Sequence, residues 1–199
     1  AKRIGAVNTI SFGEKHEIIG SNTDGVGFLK NLTQCAPMWN SPKCKVVVLG
    51  AGGASRAILM SLVDSKVFQI RLINRTLARA KKLAEDIGGP IEVFGWDNIR
   101  KTVEGCDLLI NATSLGMKGQ SDMDFPMDTL AKSAVVTDIV YTPLVTPFLK
   151  KAQMTGLKTI DGLGMLLHQG RPGFELWFGK TAPLVDDDLR EYILQGLEV

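Results

Sequence analysis

The sequence predicts an α/β fold built on a doubly wound parallel sheet with helices on both faces. Three observations carry that expectation. From Lys45 onward, short β-rich runs alternate with longer stretches of helical period, the order in which parallel strands are joined by crossover helices. The runs are mostly continuous in apolar character, as strands covered on both faces must be. The first of them leads straight into a glycine-rich turn and a helix.

Residues 1 to 43 precede this pattern. Ala6 to Phe12 and Glu17 to Gly20 read as two strands around the turn Gly13-Glu14-Lys15, followed by a helix from Thr23 to Leu32. Pro37, Pro42 and the pair Asn40-Ser41 mark 36–44 as a linker. The expected strands of the sheet are Lys45 to Leu49, Gln69 to Ile73, Glu92 to Phe94, Asp107 to Asn111, Ala134 to Asp138 and Lys158 to Ile160. Between them, Ala54 to Val63 and Leu77 to Ile87 have helical spacing, the second closing at Gly88-Gly89-Pro90. Met165 to Phe178 and Asp186 to Gln195 read as two final helices, with a kink or break expected at Pro172. The aspartates Asp186, Asp187 and Asp188 suit the positive end of the last helix. The implied organisation is a remnant or hinge of an upstream substrate domain over 1–35, the linker, a nucleotide domain over 45–165, and C-terminal helices over 166–199.

With 199 residues, of which 45% are hydrophobic and 22% charged, the chain is large enough for one full core. A net charge of +2 and the lack of a run of five like charges argue against nucleic acid or an anionic membrane as partner. A small molecule is the expected ligand. The nearly apolar runs Cys44 to Leu49 and Ala134 to Val140 fall far short of the ~20 residues that span a bilayer. Cys35, Cys44 and Cys106 are odd in number and widely spaced, which points to a reducing, cytoplasmic setting and buried inert thiols. His16 and His168 lack metal or triad spacing, so no metal is expected. Monomer and homodimer both remain open.

Gly50-Ala51-Gly52-Gly53-Ala54-Ser55 opens a helix directly after a strand, the context in which a glycine fingerprint binds a dinucleotide in a Rossmann-like sheet. Gly50 permits the tight turn, Gly52 lets backbone approach a pyrophosphate, and the helix start offers free N–H groups. At the end of the second strand, where an acid would grip a ribose 2′-hydroxyl, the chain has Asn74-Arg75-Thr76 and then Arg79. Guanidinium groups there favour a 2′-phosphate, so NADP(H) is the expected cofactor. The plainer alternative makes Arg75 and Arg79 solvated helix-start residues.

These blocks, with Asn111-Ala112-Thr113-Ser114-Leu115-Gly116-Met117, resemble the shikimate dehydrogenase family. The likeness extends upstream to Ile4-Gly5-Ala6-Val7-Asn8-Thr9 and Asn22-Thr23-Asp24-Gly25. Downstream it takes in Asp138-Ile139-Val140-Tyr141-Thr142-Pro143 and Asp161-Gly162-Leu163-Gly164-Met165 with Gln169. The resemblance implies reversible NADPH-dependent reduction of 3-dehydroshikimate to shikimate, a step of aromatic amino-acid biosynthesis. Hydride delivery leaves negative charge on a ketone oxygen, which needs a proton donor and neighbours that hold the ring. By resemblance Asp24 is half of a lysine–aspartate pair at that oxygen, Asn8 and Gln169 bond ring hydroxyls, and Tyr141 sits beside the substrate. The cofactor residues implied are Gly50, Ala51, Gly52, Gly53, Ala54, Asn74, Arg75, Thr76, Arg79, Thr113 and Ser114, with Ile139, Gly162 and Met165 bordering the nicotinamide.

Each role has a rival. Asn8-Thr9 could end a strand, Asn22-Thr23-Asp24-Gly25 could be a capped helix start, and Asn111 to Gly116 could be a plain strand-end loop. The family's Asn-x-Thr-x-Pro-x-Lys pattern, which carries the catalytic lysine, does not occur in the 199 residues, and Lys2 has none of that motif around it. The carboxylate-binding serines of that domain are missing too. The expectation is therefore that these residues bind cofactor, hold half of the substrate site and are inactive alone, with apolar surface bare around Val26, Phe28 and Leu29 and residues 1 to 43 mobile or prone to dimerise. Two other readings stay open, a quinate/shikimate dehydrogenase relative and a non-catalytic NADP-binding module.

Overall fold

A computed structural model describes residues 1–197, the side chain of Asn98 excepted. Strands β1 (Thr9–Phe12) and β2 (Ile18–Ser21) pair antiparallel into a hairpin, shorter at its start than the expected run from Ala6. Helix α1 (Asp24–Cys35) follows, and then six parallel strands form one sheet. These are β3 (Lys45–Leu49), β4 (Gln69–Ile73), β5 (Ile91–Phe94), β6 (Leu108–Asn111), β7 (Val135–Asp138) and β8 (Lys158–Ile160), in spatial order β5-β4-β3-β6-β7-β8. The order reverses between β3 and β6, so the strand ends open a crevice there, where ligands bind in open α/β sheets. Helices α2 (Gly53–Asp64) and α3 (Leu77–Ile87) occupy the expected intervals.

Successive strand residues point to opposite faces, and both faces are covered. Val46, Val48, Ile70, Leu72 and Ile110 pack with Ile58 and Leu62 of α2, while Val47, Leu49, Ile73 and Val136 pack on the other side with Phe125, Phe148 and Leu149. Phe28 and Leu32 of α1 belong to the first of these cores and are 2% and 1% exposed. The expectation of apolar surface bare around Phe28 is thus corrected, since that ring is packed into the core. Helix α1 buries its apolar stripe on α2 and on α6 (Leu163–Phe178), leaving Val26 exposed and Leu29 half-buried. Gly25 and Gly27 make that possible, since a Cβ on Gly25 would lie 2.9 Å from the Ala57 carbonyl oxygen and one on Gly27 would lie 2.6 Å from Gln169 Cβ.

Pro172 does not break α6, which runs 16 residues to a left-handed cap at Gly179. A proline there removes one backbone bond, yet the helix is held before Pro172 by α1 and after it by the hairpin, where Trp177 Nε1 donates to the Ile10 carbonyl at 2.8 Å. Tertiary packing overrides the local signal. Two helices escape sequence periodicity, α4 (Ile99–Val103) and α5 (Pro147–Met154). The second was signalled by chemistry: Thr146 Oγ1 accepts from Leu149 N at 3.2 Å and Pro147 fills the first helical position. The last helix, α7 (Asp187–Gly196), is capped by Asp186 and tied in through Arg190, which pairs with Asp161 at 2.8 Å.

Burial pushes the Cys44 thiol up to about 11 and the Cys106 thiol to about 12, as inert core cysteines should behave. Cys35, by contrast, is exposed at the end of α1. His168 lies under α1 with Nε2 2.7 Å from Gln34 Oε1, and burial lowers its pKa. No helix among the described residues is long and apolar enough to cross a membrane.

Candidate active site

The strand ends open into a cleft of about 560 Å³ whose lining includes Gly50, Ala51, Gly52, Gly53, Ala54, Asn74, Arg79, Thr113, Ser114, Ile139 and Tyr141. Gly50 has φ +100°, and a Cβ on it would sit 2.7 Å from Thr113 Cγ2, so backbone strain and close approach both demand glycine. Gly52 and Gly53 face open space, with nothing within 4 Å of a Cβ on either. Their N–H groups begin α2, whose positive end faces the cleft. Ser55, at the position of the third fingerprint glycine, is fully buried. Its hydroxyl accepts from Gly52 N at 3.1 Å and donates to the Ala112 carbonyl at 3.3 Å, pinning the turn to the end of β6.

Asn74 Nδ2 donates to the Thr76 carbonyl at 2.9 Å and so shapes the turn before α3, where Thr76 is the N-cap. Arg75 and Arg79 are exposed, and among the described residues neither enters an ion pair. Arg79 lines the cleft; Arg75 lines an adjoining cavity with Asn74, Trp96, Thr113 and Ser114. Trp96 is a site-bordering residue that sequence reasoning missed, because a tryptophan after an edge strand has no motif around it.

A buried polar cluster stands behind the cleft wall. Asp138, at the end of β7, accepts from Asn111 Nδ2 at 3.0 Å, from Val140 N at 3.0 Å and from Thr146 Oγ1 at 2.7 Å. Burial pushes its carboxyl above the usual carboxylate range, and these three donors oppose that. Asn111 Oδ1 in turn accepts from Thr113 N and Thr113 Oγ1 at 3.0 and 2.7 Å, which sets the Thr113-Ser114 loop.

Gly162 borders the same wall. A Cβ there would lie 2.6 Å from the Val140 carbonyl oxygen and closer still to that of Ile139, all backbone atoms that cannot swing aside. Gly162→Ala should therefore cost roughly 3 kcal/mol of stability, at the upper end of overpacking effects, measured as a drop in denaturant midpoint at constant slope. A loss under about 0.5 kcal/mol would show that the loop is free to shift. Met165, three residues on, is 6% exposed and lies in the core against α1, not in the cleft lining.

Asn8 and Asp24, sixteen residues apart, meet at the mouth of the hairpin. Asn8 Nδ2 donates to Asp24 Oδ1 at 2.8 Å, while Asn8 Oδ1 accepts from Thr23 N at 3.0 Å. Asn22 Oδ1 caps the Asp24 N–H at 3.1 Å, but Thr23 makes no side-chain cap, so the helix-start reading accounts for Asn22 alone. The Asp24 carboxylate makes no backbone bond among the described residues. Gln169 reaches α1 at Gly27, one turn from Asp24, and its buried Oε1 has no partner among the described residues. An orphaned acceptor of that kind fits a ligand hydroxyl. Tyr141 lines the cleft wall, and no hydrogen bond among the described residues joins it to Asn8, Asp24 or Gln169.

The cradle of bare glycines, the unpaired guanidinium groups beyond it and the orphaned amide oxygen fit a phosphorylated dinucleotide beside a hydroxylated ligand. The family described as shikimate / quinate 5-dehydrogenase matches residues 34–165, and the shikimate 5′-dehydrogenase C-terminal domain matches 162–186. The chain belongs to the shikimate dehydrogenase family. It is 52% identical over 198 residues to the shikimate dehydrogenase (NADP(+)) of Rhodospirillum rubrum, covering 98% of this chain and 70% of that one. Among solved structures it is similar to the quinate dehydrogenase of Corynebacterium glutamicum in complex with NAD, with a TM-score of 0.87 at 30% identity over 98% of this chain and 70% of that one. The Thermus thermophilus shikimate 5-dehydrogenase in complex with NADP(H) and shikimate gives a TM-score of 0.76 at 37% identity, over 92% of this chain and 66% of that one.

Proposed function

We propose that the chain binds NADP(H) in the cleft above Gly50 to Ala54 and serves the reversible reduction of 3-dehydroshikimate to shikimate. The observation that carries this reading is an open glycine cradle with two unpaired arginines beyond it, tied through α6 to the Asn8–Asp24 pair: the helix begins beside Gly162 on the Ile139–Val140 wall and carries Gln169 to Gly27 of α1. Phosphates rest on the start of α2, Asn74, Arg75, Thr76 and Arg79 hold the adenosine 2′-phosphate, and Thr113 and Ser114 line the path between. The nicotinamide lies toward Ile139 and Gly162, with Met165 supporting that wall from behind. When bound, the dinucleotide supplies the hydride.

Asp24 then faces the reacting oxygen, while Asn8, Gln169 and Tyr141 hold the ring. In this arrangement residues 1–35 form the hinge side of a substrate domain, 45–165 the cofactor domain, and 166–199 the helices that return toward the substrate. The quinate dehydrogenase among the structural relatives favours one second reading, in which quinate is also accepted. Initial rates with shikimate against quinate separate the two.

Cofactor choice is tested by Arg75→Asp, which should weaken NADPH roughly tenfold to a hundredfold, the scale of a lost hydrogen bond to a charged group, and NADH much less. Equal losses for both cofactors in a binding titration would overturn the 2′-phosphate site.

A further inference from the structure

We propose that Asp138 supplies a fixed negative charge behind the nicotinamide wall that favours the oxidised, cationic cofactor over the reduced, neutral one. The inference rests on the reading of Ile139 and Tyr141 as the nicotinamide side of the cleft. Asp138 is 1% exposed, and the residues that follow it in the chain, Ile139 to Thr142, line the cleft. Burial favours the neutral acid, but the Asp138 carboxyl oxygens accept from a backbone amide, a primary amide and a hydroxyl, three neutral donors that oppose burial and hold the ionised form. No ion pair among the described residues includes it. Partial compensation comes from the start of α5, whose N-cap Thr146 is one of those donors.

A buried charge without a counterion acts over a longer range than a surface ion pair, because little water lies between it and its target. In the proposed reaction a C–H bond of the dihydronicotinamide breaks with both electrons, a C–H bond forms at the ketone carbon, and the oxygen takes a proton. The ring gains one positive charge in that step. A carboxylate held behind the ring therefore interacts differently with the two cofactor forms and makes the bound NADPH a stronger hydride donor. A carboxylate that merely fixed the loops would serve both forms alike.

The test is equilibrium titration of NADP⁺ and NADPH against wild type, Asp138→Asn and Thr146→Val. Wild type should bind NADP⁺ more tightly than NADPH. Asp138→Asn should weaken NADP⁺ roughly tenfold, the size expected for a unit charge about 10 Å away at an effective dielectric constant near 20, and leave NADPH within about twofold. Thr146→Val loses the same hydroxyl–carboxylate contact but keeps the charge, so it should leave the ratio of the two affinities unchanged. Equal effects of Asp138→Asn on both cofactors would overturn the proposal, as would a ratio that shifts with Thr146→Val. If Asp138→Asn does not fold, the wild-type ratio decides: NADP⁺ binding no tighter than NADPH refutes the charge effect. Failure of wild type to bind either cofactor would instead overturn the cofactor reading itself.

Discussion

The 199 residues should bind NADPH yet oxidise shikimate at a negligible rate, and turnover should appear when they are joined to the lysine-bearing segment of the family. Oxidation of the alcohol requires the hydroxyl proton to leave as hydride departs, and the group proposed to face that oxygen is Asp24. Its carboxylate accepts from Asn8 Nδ2 at 2.8 Å and Asn22 Nδ2 at 3.5 Å, and among the described residues no cation pairs with it. A positioned acid–base group is worth about 10²- to 10⁴-fold, so an Asp24 without its proposed partner should show that loss directly in the rate. NADPH formation at high shikimate concentration, followed by absorbance for both polypeptides, makes the comparison. Substantial turnover by the 199 residues alone would mean that the group accepting the hydroxyl proton lies within them, whereas none in either would favour a non-catalytic NADP-binding module.

In the joined polypeptide, Asp24→Asn should lower turnover by about 10²-fold or more while NADPH affinity and thermal midpoint stay near wild type. The amide is nearly isosteric and its oxygen can still accept from Asn8 Nδ2, so only the long contact from Asn22 Nδ2 at 3.5 Å is lost. What disappears is the negative charge proposed to tune and orient a lysine partner. Near-normal turnover with a midpoint several degrees lower would assign Asp24 to the start of α1 and nothing more. The distinction is sharp because Asn22, not Asp24, caps that helix in the structure.

The amino-acid sequence by itself determined the nucleotide half of this protein. Continuous apolar runs, a glycine turn between Leu49 and Ala54, and arginines after Ile73 are local signals whose meaning depends on neighbours a few residues away. The observed strands β3, β4 and β8 and helix α3 fall on the predicted residues. Even the missed α5 left a local trace in Thr146-Pro147. Tertiary structure alone decided the rest. Helix α1, expected to be bare, shares the core of the sheet because glycines at 25 and 27 let two helices come within backbone distance of it. Pro172 is carried inside a continuous helix because packing against α1 outweighs one lost hydrogen bond. Asp138 is buried among polar partners because β6 and β7 pair side by side and bring Asn111 to it, while the chain turns back so that Thr146, at the start of α5, reaches it as well. Periodicity and turn chemistry are written in adjacent residues, whereas burial and the pairing of polar groups depend on which distant residues the packing brings into contact.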